Sequence, residues 1–334
     1  MRQLAWATET PAGKTQGLSF LPTRTGSRHV NLSSFFQQCV IGLIDGGVLG
    51  LIAVGYTLVY GTVGLIHLAH GDVVMLGGCL ALFALSLVEP LALDPALGWL
   101  AIIAVTLGCG FCCGSLNVAI DWLIYRPLRQ SAPLAPLVSA VGVSLILMNV
   151  GMLWLGSTDQ AFPEVLPGNV KLAAGLPVTT ADLLVLSLVL PAWGGLTLLL
   201  RRTRLGRSLR SVAAVSRAAA QRGGADQFLT ATFFLGGFLG GVASVAAGIH
   251  TATINYQSGY QTGLYALTAA VLGGIGSVPG AIVGGVLVGL IRSVSTAALG
   301  PRWAAAAVFL MLIVILAFRP EGLFGQQRRA GEAG

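Results

Sequence analysis

Residues 201–222 read RRTRLGRSLRSVAAVSRAAAQR, with seven arginines and no acid. The 65 residues from Gln227 to Ile291 contain no Asp, Glu, Lys or Arg. A basic loop beside so long an uncharged run marks a membrane-embedded chain. Arginines resist transfer through the bilayer during insertion and hold their loop on the cytoplasmic side. The loop therefore sets the topology, and it is the natural place for a soluble partner to dock.

The composition points the same way. Of 334 residues, 55% are hydrophobic and 9% are charged, and the mean hydropathy is +0.82. A soluble domain carries about a quarter charged residues. The net charge of +7 reflects positive-inside orientation rather than nucleic-acid binding, because most cations flank apolar runs. Cys39, Cys79, Cys109, Cys112 and Cys113 all fall in apolar stretches, where thiols pack like Ala or Ser, and no disulfide framework is implied. Cys109, Cys112 and Cys113 share a helix face at ligand-like spacing, but no His or acid accompanies them on that helix, so no metal site is expected. No nucleophile elbow or zinc motif assembles a catalytic set.

The expected fold class is an all-α polytopic integral membrane protein. Since about 20 apolar residues cross the hydrocarbon core, spans are placed near 36–58, 73–92, 97–120, 134–155, 179–200, 228–249, 264–276 with 279–297, and 303–318, eight or nine in total. Residues 1–35 are polar and lack a signal-peptide core. They read as a flexible tail, followed by a transmembrane domain over 36–320 and a cytoplasmic tail over 321–334. The loops holding Arg126 and Arg129, the 201–226 loop and the C-terminus belong inside, and the loop with Asp159, Glu164 and Lys171 outside. The N-terminus stays open: its cations argue for inside, whereas counting back from Arg126 puts it outside.

Two regions are unusually rich in glycine, Gly42–Gly71 and Gly273–Gly289, the latter reading GGIGSVPGAIVGGVLVG. Glycine permits close helix contact, and a Gly/Pro break frees backbone groups that then line a cavity. Paired interruptions in two halves of a chain point to a transporter's substrate site. Gly273, Gly274 and Gly276 are candidate path residues on that ground, with helix packing the alternative. Tyr56 and Tyr60, at i, i+4, and Asn149 suit either a zwitterionic substrate or hydrogen bonding between helices. Asp45 lies inside an apolar run, where an acid pairs with a partner or serves transport. In HLAHGD (67–72), Asp72 is expected to cap the next helix, with His67 and His70 at metal-like spacing as the lesser reading.

Five collinear segments resemble the LivH-type membrane permease subunit of branched-chain amino-acid ABC importers: GYTLVYGTVGLIHLAHGDVVMLGG (55–78), YRPLRQSAPLAPLVSAVGVSLILMN (125–149), TRLGRSLRSVAA (203–214), ALTAAVLGGIGSVPGAIVGGVLVG (266–289) and FRPEGLFG (318–325). The resemblance implies a bacterial inner-membrane subunit paired with a second permease of LivM type, two cytoplasmic ATPases and a periplasmic or extracellular binding protein. No GxxxxGK[ST] phosphate loop occurs, so the chain is expected to bind no cofactor itself and to rely on ATP used by its partners.

Residues 207–226 read as a short cytoplasmic helix closed by Gly223 and Gly224. Val212, Val215 and Ala219 form an apolar stripe, with Arg210, Arg217 and Arg222 around it and Arg207 at the start of the helix. In the resembling family this loop carries the coupling helix for the ATPase. The chain departs from the family pattern in lacking the acidic pair there, having Val215-Ser216-Arg217 instead, in Ala225, and in Arg292, where relatives more often carry glutamate. Importers of urea or short-chain amides are an alternative within the family. A self-contained secondary transporter or channel is the alternative outside it.

Overall fold

The computed structural model describes residues 32–64, 66–88, 95–128, 131–132, 134–163, 169–171, 177–204, 206–207 and 226–325. Its helices are α1 (Leu32–Val63), α2 (His70–Val88), α3 (Pro95–Ile120), α4 (Arg126–Leu128), α5 (Leu134–Leu155), α6 (Thr180–Arg202), α7 (Asp226–Thr251), α8 (Ser258–Gly273), α9 (Val278–Leu299) and α10 (Pro301–Phe318). A π-helical turn, Asp121–Tyr125, joins α3 to α4. Strands are few and short. β1 (Gln160–Ala161) pairs antiparallel with β4 (Thr253–Ile254), and β2 (Asn169–Lys171) with β3 (Pro177–Thr179). Among the described residues eight helices are long and apolar enough to cross a membrane. The 16-residue α8 rises only about 24 Å, less than the hydrocarbon core.

The expected spans correspond to these helices, and α5 matches to the residue. Two differences are physical. The first region is broken only after Val63, where Gly64 has φ 73° and α2 starts at His70, and its earlier glycines leave α1 continuous. They let it lie against α9: a Cβ on Gly42 would stand 2.9 Å from the Leu290 Cα, and one on Gly46 2.6 Å from the Val286 Cα. The two glycine-rich regions thus pack on each other, antiparallel. The second region is broken only between Gly273 and Val278, where α8 turns back into α9.

Sidedness follows from pairings of this kind. Antiparallel α3 and α7 meet at Gly110 with Phe238 and at Gly114 with Phe234, and His250 at the end of α7 faces Asp182 at the start of α6. Arg126, Arg201 and Arg202 therefore share one end, and so does Arg319, because the segment after it bonds to the last turn of α8, which starts at the opposite end just after α7; by the positive-inside rule that end is cytoplasmic. Because Gln38 of α1 contacts Ser293 near the far end of α9, α1 starts at the external end and crosses once. That resolves the N-terminal ambiguity from Leu32 onward. Residues 322–325, assigned to the tail from sequence, pack on the α8–α9 break: Leu323 N–H donates to the Leu272 carbonyl at 2.9 Å and Phe324 N–H to the Gly273 carbonyl at 3.0 Å.

The buried core has two parts, one centred on α1, α8 and α9, the other on α2, α3 and α7. Helix α5 stands at the periphery with most of its apolar side chains exposed, Leu145 and Leu153 among them, as suits a surface facing lipid or another membrane subunit.

Candidate functional site

Polar groups gather at three levels of the bundle. At the external end α7 stops at Thr251, and the chain turns through Ala252, whose φ is 55°, into β4 and then α8. Local bonds build this turn. Ser258 Oγ donates to the Asn255 carbonyl at 2.7 Å, and the Gln257 N–H donates to Asn255 Oδ1 at 2.9 Å. Asn255 Nδ2 also donates to Asp159 Oδ1 at 2.8 Å, tying the turn to the loop ahead of β1. These segments enclose a cavity of about 180 Å³ whose walls include Asp159, Ser244, Thr251, Gln261 and Arg292, with Val74 and Met75 as apolar lining.

Arg292 reaches this cavity from α9. Its Nη1 lies 3.3 Å from Asp45 Oδ2, and its guanidinium carbon sits 5.1 Å from the centroid of the Tyr265 ring. The acid that stands out within the first apolar run therefore has its counter-charge in this same chain, 247 residues away.

Below the cavity α2 crosses α8 at glycines. A Cβ on Gly259 would come 2.7 Å from the Met75 Cβ, and one on Gly71 2.8 Å from the Gly263 Cα. On the other side of this crossing a second cavity, of about 300 Å³, is almost wholly apolar and is lined by Tyr56, Ser144, Met148, Tyr260 and Leu267. Asp72 sits in the first turn of α2, but its carboxylate accepts the Ser144 hydroxyl from α5 instead of capping the helix backbone. His70 is fully buried, its ring edge-on to Tyr56 at 4.8 Å between centroids and wedged against Gly55 and Gly240.

Nearer the cytoplasmic end His67 Nε2 lies 2.7 Å from Asn117 Oδ1 and Nδ1 2.8 Å from the Tyr125 hydroxyl. Asn117 Nδ2 donates to the Phe233 carbonyl at 2.9 Å. Both histidine nitrogens are thus committed to protein partners. Burial pulls the His67 pKa down to about 4 against the opposing pull of the Asn117 bond, so the imidazole is neutral at physiological pH. Among the described residues no three His, Cys, Asp or Glu groups are placed to hold a metal ion.

At the break itself Gly274 has φ +100° and Gly276 φ +99°, in the left-handed region that glycine alone adopts without strain. Ser277 then caps α9 by accepting the Gly280 N–H at 3.2 Å.

The residues singled out from sequence fall in different places. Tyr56 is buried beside the apolar cavity, and Tyr60 is partly buried one turn further on. Asn149 lies on the exposed face of α5, its amide donating to the Leu145 carbonyl at 2.7 Å. Gly273, Gly274 and Gly276 form the cytoplasmic break, and a Cβ on Gly61 of α1 would come 3.7 Å from the Gly276 Cα. Arg207 is exposed. Arg210, Val212, Val215, Arg217, Ala219, Arg222, Gly223 and Gly224 lie outside the described residues.

The model of the family described as branched-chain amino acid transport system / permease component matches residues 38–317. This chain belongs to that permease family. The permease is 37% identical over 298 residues to the high-affinity branched-chain amino acid transport system permease protein BraD of Pseudomonas aeruginosa, covering 87% of this chain and 96% of BraD. It is 34% identical over 297 residues to LivH of Escherichia coli K12, again covering 87% of this chain and 96% of the relative. LivH of Salmonella typhimurium stands at the same identity and coverage. No solved structure matches it.

Several polar residues of the permease were not singled out from sequence: Asn117, Tyr125, Ser144 and Asn255, while Asp159 was read only as part of an external loop. Asn117 had a legible signal, an amide inside an apolar run. Ser144 and Asn255 had none, because their partners lie 72 and 96 residues away.

Proposed function

We propose that this permease carries branched-chain amino acids into the cell as the membrane subunit of an ABC importer in the bacterial inner membrane. It works beside a second permease of LivM type, with two cytoplasmic ATPases and an external binding protein. It binds no nucleotide itself, and ATP is consumed by its partners. What supports this reading most is its similarity to BraD and LivH over 87% of its length, together with the lack of any phosphate loop in its sequence.

Transport by alternating access needs a path closed at one end at a time. The external polar cavity is the receiving chamber in this reading. The glycine crossing of α2 and α8 is its floor, and the Gly273–Val278 break, next to the end of α1, is the cytoplasmic exit. The arginine-flanked helix of the 201–226 loop transmits ATPase closure to α6 and α7, which it joins. Tyr56 and Tyr60 of α1 border the route, and Asn149 faces the second permease.

The test is uptake by the complete importer in proteoliposomes supplied with ATP. Labelled leucine, isoleucine and valine should accumulate and compete with one another, while urea and acetamide should not. Accumulation of urea or acetamide with exclusion of leucine would move the assignment to the amide branch of the family.

A further inference from the structure

The geometry points to the external cavity as a zwitterion site in which Arg292 takes the α-carboxylate of the substrate and Asp159 its α-ammonium. The inference rests on the amino-acid reading above and deepens it by naming the groups that hold the charged end of the cargo in this chain, where Arg292 replaces the glutamate more usual in the resembling family.

Three observations carry it. First, the cavity of about 180 Å³ has one cation and one acid in its walls, Arg292 and Asp159, alongside the apolar Val74, Met75, Ala247 and Ile254. That is the complement of a small zwitterion with an aliphatic side chain. Second, Arg292 has capacity to spare. Its contacts with Asp45 both run through Nη1, at 3.3 and 3.4 Å, longer than a strong charge-assisted bond. Among the described residues Nε and Nη2 make no hydrogen bond, and the side chain is 34% exposed. A planar guanidinium presents a fork of donors that matches a carboxylate.

Third, the surroundings hold that fork in place. Asp45 balances its charge and the guanidinium carbon lies over the Tyr265 ring, 5.1 Å from its centroid. Among the described residues Asp159 accepts only from Asn255, through Oδ1, and an ionised carboxylate can accept several donors. The first turn of α8, with Ser258 and Gly259 in the cavity wall, adds the positive end of a helix dipole.

The experiment uses the complete importer in proteoliposomes, with labelled leucine delivered by its binding protein at saturation. R292Q should lower ATP-driven uptake by about tenfold or more, the loss expected when a charge-assisted hydrogen bond is removed. R292K, which keeps the charge but not the fork, should retain more. D159N should also fall, whereas hydrolysis stimulated by the liganded binding protein should persist in all three. The deciding variant is the double substitution D45N/R292Q, which removes both charges of the pair and with them any unpaired buried carboxylate. Carboxylate recognition by Arg292 requires the double variant to stay as defective as R292Q. Recovery of wild-type uptake in the double variant would reduce Arg292 to a counter-charge for Asp45 and overturn the proposal, as would wild-type uptake by R292Q alone. If the wild-type importer shows no ATP-driven leucine uptake, the amino-acid reading fails and the site falls with it.

Discussion

The Phe324 N–H donates to the Gly273 carbonyl at 3.0 Å, closing the cytoplasmic break between α8 and α9 with the chain's own C-terminal segment. A helix that ends at membrane depth leaves carbonyls without intrahelical partners, and lipid cannot satisfy them. The GGIGSVPG and EGLFG stretches, 40 residues apart in sequence, thus form one structural unit. Gly274 is doubly constrained within it, since a Cβ there would stand 2.5 Å from the Gly325 nitrogen and its φ is +100°.

Replacing Gly274 with Leu should accordingly reduce transport while leaving membrane insertion intact. The side chain meets backbone, and its conformation is strained, so overpacking of about 1–3 kcal/mol is expected. Uptake normalised to the amount of permease in the membrane checks this, and unchanged uptake would show that the break is not part of the path.

The α1–α9 contact makes a sharper contrast. Gly285 and Gly289 have backbone atoms of α1 where a Cβ would go, whereas Gly142 and Gly194 have nothing within 4 Å. Gly285→Leu should abolish a monodisperse detergent-solubilised protein. Gly142→Ala should be neutral or stabilising by up to about 1 kcal/mol, since alanine favours helix. Size-exclusion profiles and thermal midpoints of the two variants provide the comparison.

His67 predicts a pH dependence. Its folded pKa, about 4, lies below the ordinary 6.5, so the unfolded state binds the proton more readily. Stability from this group is fully present above about pH 6.5 and is lost progressively as pH falls towards 4. His67→Gln should flatten that slope in thermal unfolding between pH 7 and pH 4.5. Asn117→Ala, which removes the bond that favours the charged imidazole, should cost about 1–3 kcal/mol at neutral pH.

The spans were legible because hydrocarbon thickness demands long apolar runs, and α5 was located to the residue. What each helix presents to its neighbours was not legible. Helices α1 and α5 are apolar on nearly every side, with no polar face to orient them, so the exposure of Asn149 and the burial of Tyr56 left no periodic mark. The Asp45–Arg292 pair was hidden for a related reason: each residue was conspicuous in its own span, but only the α1–α9 glycine packing brings them together. Asp72 was misread as a helix cap because its position beside a turn is a capping position, and its real partner, Ser144, is on another helix.

The coupling role of the 201–226 loop rests on sequence and is tested by substitution. Val215→Asp places a charge on the apolar stripe and should uncouple ATP hydrolysis from uptake without altering topology. Arg201→Gln with Arg202→Gln, outside the stripe, should impair assembly far less. If cysteine labelling shows the loop cytoplasmic and the Val215 variant still transports normally, the arginines serve orientation alone.

The proposed transport cycle draws its energy from partner subunits. The most direct measurement is leucine accumulation in proteoliposomes holding this permease alone, under imposed proton and sodium gradients, beside vesicles holding the assembled importer with internal ATP. Accumulation is expected only in the second, abolished when a non-hydrolysable ATP analogue replaces ATP. Gradient-driven accumulation by the permease alone would contradict that cycle and make the chain a secondary transporter.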